Sequence, residues 1–171
     1  MDDASRDGLR GLSLFLQDHT AIEPEEPMGL DLETDTLALY PLIYWPMPSK
    51  GEGPSPSALA RLETYMLNGG LVIFDTRDAA SNFKTTPSAE TLYLQSILSG
   101  FSLPALEEIP ANHVLMRSFY LLQMMPGRYG TGKTWVEALP LEAVQNELPT
   151  RASDGVTPLI ITSNDWASAW A

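Results

Sequence analysis

Hydrophobic and polar positions alternate along this chain on two periods, and the switch between them predicts its elements. In residues 5–17 the apolar positions Leu9, Leu12, Phe15 and Leu16 recur at helical spacing, which predicts an amphipathic helix with one apolar face. Residues 20–35 are acidic and broken by proline, and read as an extended piece plus loop. The run 37–45 (LALYPLIYW) is apolar, rich in β-favouring residues and too short for a helix, so it predicts a strand. Its near-continuous apolarity suits a strand covered on both faces, while Pro41 points to an edge position or a bulge.

The best-punctuated helix follows a glycine- and proline-rich loop. Ser55 is placed to cap it, Pro56 suits its first position, Leu59, Leu62 and Met66 share a face, and Asn68-Gly69-Gly70 stops it. Residues 71–74 (LVIF) then predict a buried strand ending in Asp75. A third helix is expected over 88–98, stopped by Gly100, and two more strands over 134–139 and 158–162. Residues 113–125 fit strand and helix equally. Strands separated by helices predict an α/β domain with a mostly parallel sheet covered by helices on both faces.

Composition narrows the function more than the fold. The 171 residues suit one domain. With 22 acidic against 10 basic residues, the formal charge of −12 disfavours nucleic-acid backbones and anionic lipid surfaces. There is no cysteine, which removes disulfides, thiolate metal sites and cysteine nucleophiles. No apolar run approaches the roughly 20 residues that span a bilayer, so a soluble domain is expected. Two tryptophans within the last six residues suggest a piece of a longer protein.

Two motifs compete for attention. Gly127-Arg128-Tyr129-Gly130-Thr131-Gly132-Lys133-Thr134 fits the phosphate-loop pattern, and Leu71–Asp75 resembles the apolar strand with a magnesium-binding aspartate found in nucleotide hydrolases. That loop needs a strand before it and a helix opening at its Lys-Thr. Here Pro126 precedes it and Trp135-Val136-Glu137-Ala138-Leu139-Pro140, a β-like run, follows. Hydrolytic triads and zinc sites fare no better, since only His19 and His113 are present and neither sits in a ligand-spaced motif.

Ligands of open α/β sheets bind beyond the carboxyl ends of the strands. The expected strand ends gather Trp45, Asp75, Arg77, Asp78, Asn164, Asp165 and Trp166 at one rim. This set suits a small polar ligand, with Trp45 or Trp166 as a stacking wall. Alternatively, Asp75, Asp78 and Asp165 would hold Mg²⁺. The plain structural reading is that these aspartates make turns and that Arg77 pairs with an acid. His113, Arg117, Tyr120, Arg128 and Tyr129 form a second candidate group able to receive an anion.

Five strings in order resemble a bacterial domain of unknown function: Tyr40–Pro46, Phe74–Asp78, Ser118–Leu122, Pro126–Tyr129 and Ser163–Ala167. That domain forms the C-terminal part of membrane-anchored proteins with an aerotolerance-like (BatA-type) N-terminal region. The resemblance implies a flavodoxin-like three-layer sandwich of the class I glutamine amidotransferase-like kind. It also implies that a strand before the chain and a helix after it have been cut away. Amidotransferases of this fold use a cysteine on a sharp strand-to-helix turn, and this chain has none.

The expected function is therefore a non-enzymatic domain of a cell-envelope protein that binds a small polar ligand or a protein partner at the rim. It needs no cofactor, and an exposed sheet edge is a route to a homodimer. A metal-dependent hydrolase built on the strand-end aspartates is the alternative, with a phosphate-loop nucleotide hydrolase third.

Overall fold

The computed structural model describes residues 1–81, 86–101, 105–118, 121–138 and 157–171. Four α-helices and five strands lie within them: α1 (Asp3–His19), β1 (Leu42–Pro46), α2 (Pro56–Leu67), β2 (Leu71–Asp75), α3 (Ala89–Leu98), β3 (Leu106–Glu108), β4 (Thr134–Glu137), β5 (Leu159–Thr162) and α4 (Trp166–Trp170). The strands form one open sheet in the order β1-β2-β5-β4-β3. β1, β2 and β5 run parallel, with Tyr44 opposite Ile73 and Phe74 opposite Ile161. β4 runs antiparallel to β5, and β3 antiparallel to β4.

The helices start where short polar side chains relieve their unpaired amides. Asp2 caps α1 through Ser5 N–H, Ser55 caps α2 through Ala58 N–H, and Ser88 caps α3 through Thr91 N–H. Pro56 occupies the first turn of α2, where its missing N–H costs nothing. Gly69 ends that helix with φ +92°, a conformation that a side chain would strain.

The strict alternation of strand side chains sorts the core into two layers. On one face Ile43, Val72, Phe74 and Leu159 meet Leu62 and Met66 of α2 and Leu94 and Ile97 of α3. On the other, Ile73, Val136 and Ile160 meet Trp166, with Tyr44 and Trp170 packed alongside. Phe74, Leu62 and Ile97 are almost fully buried, each stabilising the fold by roughly 1.5–3 kcal/mol.

Four sequence expectations change. Residues 37–39 form a 3₁₀ turn rather than the start of a strand, because Tyr40 N–H closes back on Leu37 and Pro41 has no N–H to enter a ladder. β1 begins only after Pro41, at the sheet edge. β4 is antiparallel, so the parallel pattern holds only for the three strands β1, β2 and β5. The ambiguous stretch from residue 113 contributes a single 3₁₀ turn, Val114–Met116, among its described residues. Finally, the Leu9–Leu16 stripe of α1 is only half covered and Phe15 is exposed, stacking on His19 with centroids 4.2 Å apart. The most deeply buried positions of α1 are Ser5 and Gly8.

Candidate functional site

Alternation along β2 decides where the strand-end chemistry gathers. Asp75 falls on the same face as Ile73 and Tyr44, the face that α4 covers, and it is fully buried. Its Oδ2 accepts the Tyr44 hydroxyl at 2.8 Å and Trp166 N–H at 2.8 Å. Its Oδ1 accepts Arg77 N–H at 2.9 Å and Asp165 N–H at 3.3 Å. Burial pushes the Asp75 carboxyl above its ordinary value, against the pull of these four donors. Burial also raises Tyr44, and the neighbouring Asp75 charge adds to the rise.

Arg77 spreads this hub outward. It sits in left-handed backbone at φ 54°, a conformation that costs an ordinary residue on the order of 1–3 kcal/mol. From there its Nη1 reaches Asp2 at 3.2 Å and its Nη2 donates to Ser5 Oγ at 2.8 Å. Its Nε lies 3.4 Å from the Tyr44 hydroxyl and 3.5 Å from Asp165 Oδ1. Burial disfavours the guanidinium charge, but Tyr44 and Asp2 outweigh it and raise the Arg77 pKa. Burial likewise opposes ionisation of Asp2, yet its bonds to Ser5 and the Arg77 charge hold it below the usual carboxylate range.

Asp165 occupies the sharp turn from β5 into α4, also left-handed at φ 54° and ψ 64°. Two guanidiniums flank its buried carboxylate, Arg77 at 3.5 Å and Arg128 at 3.7 Å. Among the described residues, Asp165 Oδ1, Asn164 Nδ2 and Trp166 Nε1 are buried without a hydrogen-bond partner.

Asp78 belongs to a separate cluster. It accepts Thr76 Oγ1 at 2.5 Å, Ser88 Oγ at 2.5 Å and Thr91 Oγ1 at 3.0 Å, which ties the end of β2 to the cap of α3. Burial favours the neutral acid, but the three hydroxyls prevail and hold Asp78 below its ordinary value of 3.8. A depressed folded pKa contributes stability above the unfolded value that is lost as pH falls through the folded one. Asp78→Asn is therefore expected to cost about 1–2 kcal/mol at pH 7. That gap to wild type should close as pH drops below 3.8, which urea unfolding at pH 7, 5 and 3 would measure.

The glycine-rich loop 127–133 lies over this rim. Gly132 N–H donates to Asn164 Oδ1 at 2.8 Å, Tyr129 N–H to Asn164 O at 3.1 Å and Arg128 N–H to Asp165 O at 3.4 Å. A Cβ on Gly132 would stand 2.2 Å from Asn164 Oδ1, so a side chain there would displace the amide that Gly132 N–H bonds. Thr134 opens strand β4 rather than a helix, and Lys133 pairs with Glu108 at 2.8 Å. Three of the loop's amides and its lysine, groups that a phosphate loop would turn to a nucleotide, are bonded here within the protein.

The first group of sequence candidates thus divides. Asp75, Arg77, Asp165 and Trp166 form one connected hub, with Asn164 beside it, while Asp78 bonds elsewhere. Trp45 points to the opposite face of the sheet, against Phe74 with centroids 5.7 Å apart. Trp166 is 7% exposed and packs on Trp170. In the second group, Arg128 lies over the Tyr129 ring at 5.3 Å and joins the rim. His113 is buried and caps the 3₁₀ turn, its Nδ1 accepting Leu115 N–H at 3.3 Å. Burial lowers its pKa, partly offset by Glu107. Arg117 donates to the Ala111 carbonyl, and Tyr120 lies outside the described residues. Among the described residues, no three His, Asp or Glu side chains are grouped to hold a metal ion.

Sequence reasoning missed Tyr44, Asp2 and Ser5. Period-two alternation offered one signal, since it puts Tyr44 and Trp45 on opposite faces and only Tyr44 on that of Asp75.

With this geometry in place, the family can be assigned: residues 1–171 match the model of a domain of unknown function, DUF4159. The chain belongs to that family. No curated protein matches it. Among the described residues of this DUF4159 domain no helix is long and apolar enough to cross a membrane. Away from the rim, at the amino ends of β1 and β2, a cleft of about 530 Å³ opens between α2 and residues 36–41. Its volume does not make it the candidate site, because the buried charges and strained backbone lie at the rim.

Proposed function

We propose that this domain is a non-enzymatic binding or interaction module whose small polar ligand or protein partner engages the strand-end rim. We further propose a flavodoxin-like sandwich of the class I glutamine amidotransferase-like kind, belonging to a membrane-anchored bacterial cell-envelope protein. The observation that carries the binding reading is how the carboxylates are spent. Asp75 receives four donors, Asp78 three hydroxyls, and Asp165 two guanidiniums, all from the protein itself. A general base needs a lone pair within reach of substrate, and these acids are turned inward. The sharp β5–Asp165–α4 turn supports the finer fold reading, for it resembles the place where amidotransferases carry their cysteine. Here it holds an acid clamped by arginines.

Arg128 is the handle this rim offers. Its side chain is 59% exposed and is tethered by the 3.7 Å ion pair to Asp165 and by the Tyr129 ring. Five guanidinium donors on a rigid fork suit a carboxylate or amide of an incoming group.

Thermal unfolding with sugars, peptides, Mg²⁺, Mn²⁺ and ATP tests the reading. A compound binding only the folded state at a hundredfold its Kd adds about 2.7 kcal/mol, a shift of roughly 5–10 °C for this size. The expected result is a shift with a sugar or peptide that Arg128→Ala abolishes. A shift with Mg²⁺ or Mn²⁺ that Asp165→Asn abolishes would replace the binding module with a metal-dependent enzyme. A shift with ATP would return the glycine-rich loop to nucleotide binding.

A further inference from the structure

The cleft at the opposite end of the sheet carries an arginine that the described residues hold but do not neutralise. Arg61, on α2, donates Nη1 to the Glu33 carbonyl and Nη2 to the Asp35 carbonyl. The carboxylates of those same two residues are engaged elsewhere. Glu33 accepts Ser55 N–H at 3.1 Å and Ser55 Oγ at 2.8 Å, and Asp35 accepts Asp31 N–H at 2.8 Å. Arg6, Arg10, Arg77 and Arg128 pair with acids, whereas among the described residues no carboxylate pairs with Arg61 or Arg117, and of these two Arg61 lines the cleft. In a chain with 22 acids and 10 bases, an unneutralised guanidinium at a cleft is a specific arrangement. Two carbonyls fix its plane, and three of its five N–H groups remain for a ligand.

The rest of the lining fits the same guest. Among the described residues the Tyr40 hydroxyl has only the weak acceptor Met28 Sδ, at 3.9 Å, so it is a second donor available to a ligand. Leu37, Pro41 and Tyr65 supply an apolar wall. The volume of about 530 Å³ lies within the roughly 300–1,000 Å³ typical of small-molecule sites. A net charge of −12 disfavours multiply charged phosphates, which leaves a monoanion as the better match.

We infer that this cleft binds a small organic carboxylate, its oxygens on Arg61 and Tyr40 and its apolar body against Leu37, Pro41 and Tyr65. A guanidinium already held in place loses little freedom on binding, which favours a bidentate pair. The site is separate from the rim and does not depend on what the rim binds.

An amide-resolved NMR titration of the ¹⁵N-labelled chain with 3-phenylpropanoate, and with its uncharged amide, tests this. The expected result is saturable shifts at Thr36, Gly69 and Gly70 with the carboxylate, and binding at least about tenfold weaker with the amide. Arg61→Met should bring the carboxylate down to the level of the amide, while its spectrum away from the cleft stays that of wild type. Equal binding of acid and amide would overturn the inference, and so would shifts at the rim instead of the cleft. Absence of any shift at millimolar carboxylate would overturn it as well. The acid-to-amide comparison on the unmutated protein keeps the test decisive even if Arg61→Met disturbs the turn it holds.

Discussion

Replacing Asp75 with alanine is expected to lower stability by about 3 kcal/mol at pH 7, a fall in melting temperature of roughly 6–12 °C for a domain this size. The change strands the partly buried Tyr44 hydroxyl and Arg77 N–H together with the buried N–H groups of Asp165 and Trp166. A buried donor without an acceptor costs about 1–3 kcal/mol, so two buried and two partly buried ones together reach or exceed the figure. The offset is the carboxylate itself, whose own desolvation vanishes with it. Asp75→Asn keeps the shape and half the acceptors, and should cost about 2 kcal/mol.

Acid separates the two neighbouring aspartates. The folded pKa of Asp75 is raised above 3.8, so its titration adds stability that is fully present below the unfolded value and fades as pH rises through the folded one. The gap between wild type and Asp75→Asn should widen on acidification, while the gap for Asp78→Asn closes. Parallel behaviour of the two variants in urea unfolding at pH 7, 5 and 3 would refute the opposed environments assigned to them.

What the sequence revealed of this fold came from local signals. Ser55 and Pro56 at the start of α2, Asn68-Gly69-Gly70 at its end and the LVIF run of β2 each act within a few residues, and each stands where the pattern put it. Pairings across the chain left no such trace. β3 is three residues long and two are glutamates, too short and too polar for periodicity to register. The direction of β4 depends on which strand it joins, not on its own residues. At the rim, the grouping of Asp75, Arg77 and Asp165 followed from the rule that strand ends converge. The identity of Arg77's partners did not, because Asp2 and Ser5 lie more than 70 positions away. Nor could spacing tell that Asp78 would turn to the cap of α3, since that depends on where Ser88 and Thr91 come to rest.

The same limit explains α1, and it yields the second large effect. Its apolar stripe suggests leucines as the packing face, yet α1 meets α4 through its smallest residues. A Cβ built on Gly8 would stand 2.1 Å from the Ala167 carbonyl oxygen, and one on Gly11 would stand 1.8 Å from that of Trp170. Helix propensity alone says that alanine at either position should stabilise by about 1 kcal/mol. The obstacle is backbone on both sides, which no rotamer change can move aside. Overpacking of this kind costs about 1–3 kcal/mol per site and more where nothing can yield. The double change Gly8→Ala/Gly11→Ala must push the two helices apart, which loosens Trp166 and Trp170 against Ile73 and Ile160 and disturbs the Asp2–Arg77 pair. A net loss of about 3 kcal/mol is expected, read as a lower urea midpoint. A raised midpoint would mean that propensity wins and that α1 is not seated on α4 at this distance. A lowered one would tie the first helix to the rim, since the cap of α1 and the guanidinium that reaches across the hub meet at Asp2.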